Sequence, residues 1–119
     1  MLVKEGKLFK KGSGEGPLQR KNWKPRYVRL TPEALEYYCM HSGQLKGSLD
    51  LRQCGVASLE VMPTDCVKTG TSESSTWRLA INAPTRRFLV AAESEMEMNE
   101  WAFALLDVFK GNDGRLYPY

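Results

Sequence analysis

Three cations, Lys10, Lys24 and Arg26, stand where their side chains can meet, and the chemistry they offer is the capture of an anion with several charges. The spacing that brings them together is that of β-strands. Neighbouring side chains on a strand point to opposite faces, so Leu8 and Lys10 share one face of a first strand over about residues 3–10. Lys24, Arg26, Val28 and Leu30 share one face of a second strand over about 24–31. A glycine-bearing loop from Lys11 to Asn22 joins the two as an antiparallel pair. On that face both strands change from apolar to basic as they approach the loop. An unpaired cation cannot sit desolvated in a sealed interior. The charges must therefore line an open mouth above an apolar floor, and a phosphate-rich ligand suits such a place.

Other chemistries find no footing. The chain has one histidine, His41, in the turn-like run MHSGQ, where it reads as a surface residue. There is no Ser/His/Asp set, no P-loop and no pair of carboxylates on a predicted cleft, so no enzyme is expected. Cys39, Cys54 and Cys66 are too few and too scattered for a disulfide framework or a zinc site, and the sequence predicts reduced thiols, no metal and no cofactor. The GSGEG run has glycines at 12, 14 and 16, but no helix opens after it, which sets aside a dinucleotide fingerprint. Nucleic acid is not an expected partner either, because the aromatic residues alternate into the fold and form no stacking platform.

The elements that must hold the cations follow from the same patterns. A chain of 119 residues is long enough for one domain with a true core and too short for two. With 26% charged residues and no apolar run of membrane-spanning length, it reads as a soluble domain or a soluble piece of a longer protein. Further strands are predicted at about 35–40, 46–52, 56–62, 77–81 and 86–92, with Leu35, Tyr37 and Cys39 on one face of the third. Between them, Pro63–Thr76 is a Ser/Thr-rich connector. A helix follows, because Ser94 and Glu97 make a capping-box pattern and Met98, Trp101, Ala102, Leu105, Val108 and Phe109 recur at helical spacing. Lys110 and Gly111 are expected to close it, leaving 111–119 as a tail or the start of a linker. The charge is polarised along the chain. Residues 1–29 hold nine Lys/Arg against Glu5 and Glu15, whereas residues 30–119 hold eight against twelve acids. Such a distribution makes a local field toward an anionic partner although the net charge is only +3.

Seven strands and one C-terminal helix, in this order, resemble the pleckstrin homology (PH) domain family. The matching motifs are GKLFK at 6–10, WKPRYVRL at 23–30, LEYY at 35–38 and NEW at 99–101, and the resemblance covers residues 3–110. It implies a mostly β fold, a strongly bent seven-stranded antiparallel sandwich or barrel capped by the helix. It also implies a phosphoinositide site made of Lys10, Lys24, Arg26, Tyr37 and Lys46, with Lys11, Arg20, Lys21, Arg86 and Arg87 as a supporting basic surface. The expected partners are inositol phospholipids of the cytoplasmic leaflet, with soluble inositol phosphates as mimics and a preference for 3-phosphorylated lipids. The expected role is that of a cytoplasmic signalling or adaptor module recruited to the inner face of the plasma membrane. The alternative is a protein-interaction PH domain that docks a GTPase or regulates its own chain and binds lipid weakly or not at all.

Overall fold

The computed structural model of the chain describes residues 1–12, 23–64 and 76–118. Arg20, Lys21 and Cys66, most of the glycine-bearing loop and the Ser/Thr run at 69–75 lie outside them. The strands are β1 (Lys4–Lys11), β2 (Trp23–Leu30), β3 (Ala34–Cys39), β4 (Leu45–Asp50), β5 (Leu59–Val61), β6 (Trp77–Asn82) and β7 (Arg87–Ala92), followed by the helix α1 (Glu95–Leu116). All seven strands pair antiparallel in one sheet of order β4-β3-β2-β1-β7-β6-β5.

The alternation read from the sequence sets the faces. Leu8, Val28, Leu30, Leu35, Leu79, Ile81 and Val90 are almost wholly buried on the inner side, against Trp101, Leu105 and Phe109 of α1. β1 joins the two halves of the sheet: it pairs with β2 along its whole length and with β7 only at Phe9–Ala91 and Lys10–Val90. Pro25, which lacks a backbone donor, lies opposite Phe9 of β1 and just past the last β2–β3 partner pair, Arg26–Cys39.

The outer face carries a second buried cluster, made of Phe9, Trp23, Ala80, Leu89 and Ala91. Two expectations are corrected. The fifth strand begins not at 56 but after a turn of 3-10 helix at Val56–Ser58, which leaves only Leu59–Val61 as strand. Finally, α1 does not stop at Lys110 and Gly111 but continues to Leu116, so 111–116 is not a tail. Its last turns are tied to the segment after β4. The Asn112 side-chain amide donates to the carbonyls of Leu51 (2.8 Å) and Cys54 (3.0 Å), and the Arg115 guanidinium donates to that of Arg52 (2.6 Å). The Asp113 carboxylate accepts from the Val56 amide at 3.0 Å. A Cβ at Gly55 would stand 2.0 Å from that carboxylate, which would have to swing aside from its place on the Val56 amide. These bonds offset the low helix propensity of Gly111 and Gly114. At the other end, Ser94 caps the helix by accepting from the Glu97 amide at 3.2 Å.

Candidate anion-binding site

The β1–β2 register places Lys10 directly opposite Lys24 and Leu8 opposite Arg26. The β2–β3 register places Val28 opposite Tyr37 and Arg26 opposite Cys39. Directly opposed residues share a face, so the three cations and Tyr37 belong to the same side of three adjacent strands. Leu8 and Phe88, both at most 2% exposed, lie beneath them as the apolar floor.

Lys10 is the centre of this arrangement. Its ammonium lies 4.9 Å from the Tyr37 ring centre and 5.3 Å from that of Phe88, and it donates to the Lys11 carbonyl at 3.2 Å. The Arg86 guanidinium rests over the same two rings, 5.3 Å from Phe88 and 6.0 Å from Tyr37. Arg86 also donates to the Tyr37 hydroxyl (3.3 Å) and to the Ser48 carbonyl (3.1 Å), bridging β4 to the start of β7. Arg26 turns one guanidinium nitrogen onto the Pro25 carbonyl at 3.2 Å. Burial lowers the Lys10 pKa to about 8, with the Arg86 and Arg26 charges adding to the effect. None of Lys10, Lys24, Arg26, Lys46 or Arg86 is ion-paired with a carboxylate among the described residues. Like charges held together over aromatic faces without an acid to neutralise them are a place prepared for an outside anion.

Lys10, Arg26, Tyr37 and Arg86 are thus drawn into one cluster. Lys24 is exposed at the rim. Lys46 is exposed at the register shift between β3 and β4, close enough to the Cys39 thiol to help lower its pKa. Arg87 belongs to the other face, where it pairs with Glu60 and donates to the Asn82 side chain at 2.7 Å. Lys11 lies over the Trp23 ring at 5.4 Å, also on that outer face. Arg86 was expected only as diffuse support, and the structure gives it direct contact with the cluster. The parity of 86, 88 and 90 carries that signal in the sequence, since Phe88 and Val90 face inward and Arg87 is the odd neighbour. Tyr37 is only 8% exposed, so it acts mainly as a platform for the two cations.

Cys39 closes the same end of β3. Its thiol accepts hydrogen bonds from the Ser42 hydroxyl and from the Ser42 and His41 amides, and with Lys46 nearby its pKa falls to about 6. Cys39 and Cys54 are both free thiols. Among the described residues no His/Cys/Asp/Glu group is suited to hold a metal ion, and no helix is long and apolar enough to cross a membrane.

The fold and this clustered mouth define a PH domain, and the chain belongs to the PH domain family, whose sequence model matches residues 2–109. PH domains are typically non-catalytic modules. The chain is 31% identical over 96 residues to the protein daughter of sevenless of Drosophila melanogaster, a match that covers 75% of this chain and 10% of that relative. The chain thus spans about a tenth of the relative's length. The C-terminal PH domain of human pleckstrin superposes with a TM-score of 0.68 at 25% identity, covering 90% of this chain and 86% of that one. The pleckstrin C-terminal PH domain in complex with D-myo-Ins(1,2,3,4,5)P5 gives a TM-score of 0.64 at 24% identity, covering 92% and 99%.

Proposed function

We propose that this chain is a phosphoinositide-binding, membrane-recruiting module of a signalling or adaptor protein, and that it prefers 3-phosphorylated inositol lipids of the cytoplasmic leaflet. One observation carries the proposal: Lys10 and Arg86 lie together over the Tyr37 and Phe88 rings, with the Arg26 charge near enough to act on Lys10, and no described carboxylate is paired to any of the three. In this reading Arg26 presents its fork of donors to one phosphate, and the compact Lys10 ammonium bridges two. Lys24 and Lys46 reach the ring phosphates from the rim. Arg86 holds Tyr37 and Lys10 in place and adds its own charge. The PH fold accommodates such a group in the pleckstrin domain, where an inositol pentakisphosphate is bound.

Three or four charge-assisted bonds at about 1.5–3 kcal/mol each reach the roughly −8 kcal/mol of micromolar binding. Arg26→Ala is therefore expected to weaken sedimentation with phosphoinositide-containing vesicles by about 30-fold, the equivalent of about 2 kcal/mol. Calorimetric titration with soluble headgroups that carry or lack a 3-phosphate checks the preference. Flat traces with every headgroup, or an Arg26→Ala variant that sediments unchanged, would turn the reading toward protein docking.

A further inference from the structure

We infer that the outward face of α1 is a docking surface for a basic amphipathic helix of a partner protein. That helix lays apolar side chains on Met96 and Phe103 and sets Lys or Arg against Glu100 and Asp107. The surface is separate from the basic mouth and stands whether or not the mouth takes a lipid.

Three observations meet on this face. The first is exposed apolar bulk. Residues 96, 103, 107 and 114 fall on one line along the helix, because steps of 7, 11 and 18 residues return to the same side. That line is opposite the stripe of Met98, Trp101, Leu105 and Phe109 that enters the core. On it Met96 is 73% and Phe103 67% exposed, about 10 Å apart along the axis. Exposed aromatic and Met side chains in line are the anchors that interfaces use, and another amphipathic helix matches their spacing.

The second observation is unbalanced charge. Glu95 and Glu97 belong to the helix start, where the dipole favours acids, but Glu100 and Asp107 lie beyond the first turn. A solvated helix offsets such acids with Lys or Arg four residues on, whereas here those positions are Ala104 and Gly111. Lys110, three residues after Asp107, is the nearest cation on the helix. Among the described residues neither Glu100 nor Asp107 is ion-paired. A groove of about 240 Å³ separates Glu97 and Glu100 from Lys4, Glu5 and Lys7 of β1. Across it, Lys7 pairs with Glu93 (3.2 Å), Glu5 with Arg29 (3.9 Å), and Lys4 lies over the Trp101 ring (5.1 Å). The helix acids are thus left to an outside cation. An anionic leaflet would be repelled by them, and a second copy would bring acid against acid, so the charge points to a basic partner.

The third observation is the pair Gly111 and Gly114. Both are exposed, neither has a positive φ, and a Cβ at either would meet open space. No contact among the described residues requires glycine there, and each weakens the helix relative to alanine. A bare backbone beyond the bulk of Phe103 lets a second helix come close. The mouth stays free meanwhile. β1 runs from Lys4, beside Trp101, to Lys10 in the mouth, so the two sites stand at opposite ends of that strand.

The test uses the 119-residue chain and a fluorescent synthetic helical peptide with leucine along one face and arginine beside it, read by anisotropy. Met96→Gln/Phe103→Gln and Glu100→Gln/Asp107→Asn are each expected to weaken binding about tenfold, with thermal unfolding unchanged at these exposed positions. Gly111→Ala/Gly114→Ala is expected to raise the melting temperature and yet weaken binding, a combination that a purely structural role would not give. The same peptide with glutamate in place of arginine is expected not to bind. Failure of the arginine peptide to bind, equal binding of the glutamate peptide, or binding that the variants leave unchanged overturns the inference. So does self-association in sedimentation equilibrium that Met96→Gln/Phe103→Gln abolishes, which would give the face to a second copy. Weaker sedimentation of that variant with phosphatidylserine vesicles would give the face to the bilayer and overturn it too.

Discussion

Lys10 holds an ammonium where a folded domain would rather have none. With its pKa lowered to about 8, the folded chain gives up this proton at a pH where the unfolded chain still holds it. Stability should therefore rise with pH between about 8 and 10.5, the window between the folded and ordinary values, and the cost of the charge is fully present below it. A bound phosphate reverses the balance by giving the ammonium a partner. Phosphate monoesters complete their ionisation near pH 6, so above that value the ligand's charge is constant. Headgroup affinity is expected to fall above about pH 8, by at most about tenfold per pH unit, with a proton taken up on binding. Calorimetry in buffers of differing ionisation enthalpy reads that proton directly, and Lys10→Arg should flatten the profile. Lys10→Met should remove binding yet stabilise the fold by about 1 kcal/mol, once solvent screening of the half-buried ammonium is allowed for. Chemical denaturation of the two proteins side by side checks this.

Among the elements, the β3–β4 pair determines how the mouth is shaped. Gly47 lies opposite Tyr37, and a Cβ there would stand 2.3 Å from the Tyr37 hydroxyl and 2.6 Å from the ring carbon that bears it. The backbone at Gly47 is not in the left-handed region, so space rather than conformation requires the glycine. Gly47→Ala must push Tyr37 aside and with it the platform under Lys10 and Arg86. We expect a loss of about 1–3 kcal/mol in thermal unfolding, the usual cost of overpacking, together with weaker headgroup binding. A variant that melts as the parent does would show that the ring has room to move. The strands themselves were readable from period-two alternation, because each buries an inner face. The start of β5 was not, because a 3-10 turn takes up the first three residues of its predicted run. Nor was the burial of Leu89 and Ala91, since alternation cannot reveal a strand that is covered on both sides.

At the scale of the whole molecule, the far end of α1 and the segment after β4 close the fold by long-range bonds. Asn112 is 8% exposed and holds two carbonyls some 60 residues earlier in the chain. Asn112→Ala should cost about 1–3 kcal/mol, since the carbonyls of Leu51 and Cys54 lose their donor. A chain cut after Lys110, at the boundary the sequence suggests, should melt at least about 4 °C lower than the full chain. Differential scanning calorimetry distinguishes this from a dispensable tail, whose removal would leave the transition in place.

What the sequence determined by itself is what repeats locally: the strand faces, the Ser94 cap, the tryptophan-bearing stripe of α1, and the convergence of Lys10, Lys24 and Arg26 on one face. Alternation and helical spacing are properties of a few neighbouring residues, so they survive without a partner in view. The tertiary structure alone decided how far α1 runs, because the bonds that outweigh Gly111 and Gly114 come from Leu51 to Val56. It gave Arg86 and Arg87 their partners, the Tyr37 hydroxyl on one side of the sheet and Glu60 on the other, which parity alone does not name. Charge in a folded chain acts through space, and which acid or ring stands within a few ångströms of a cation is settled only when distant strands meet.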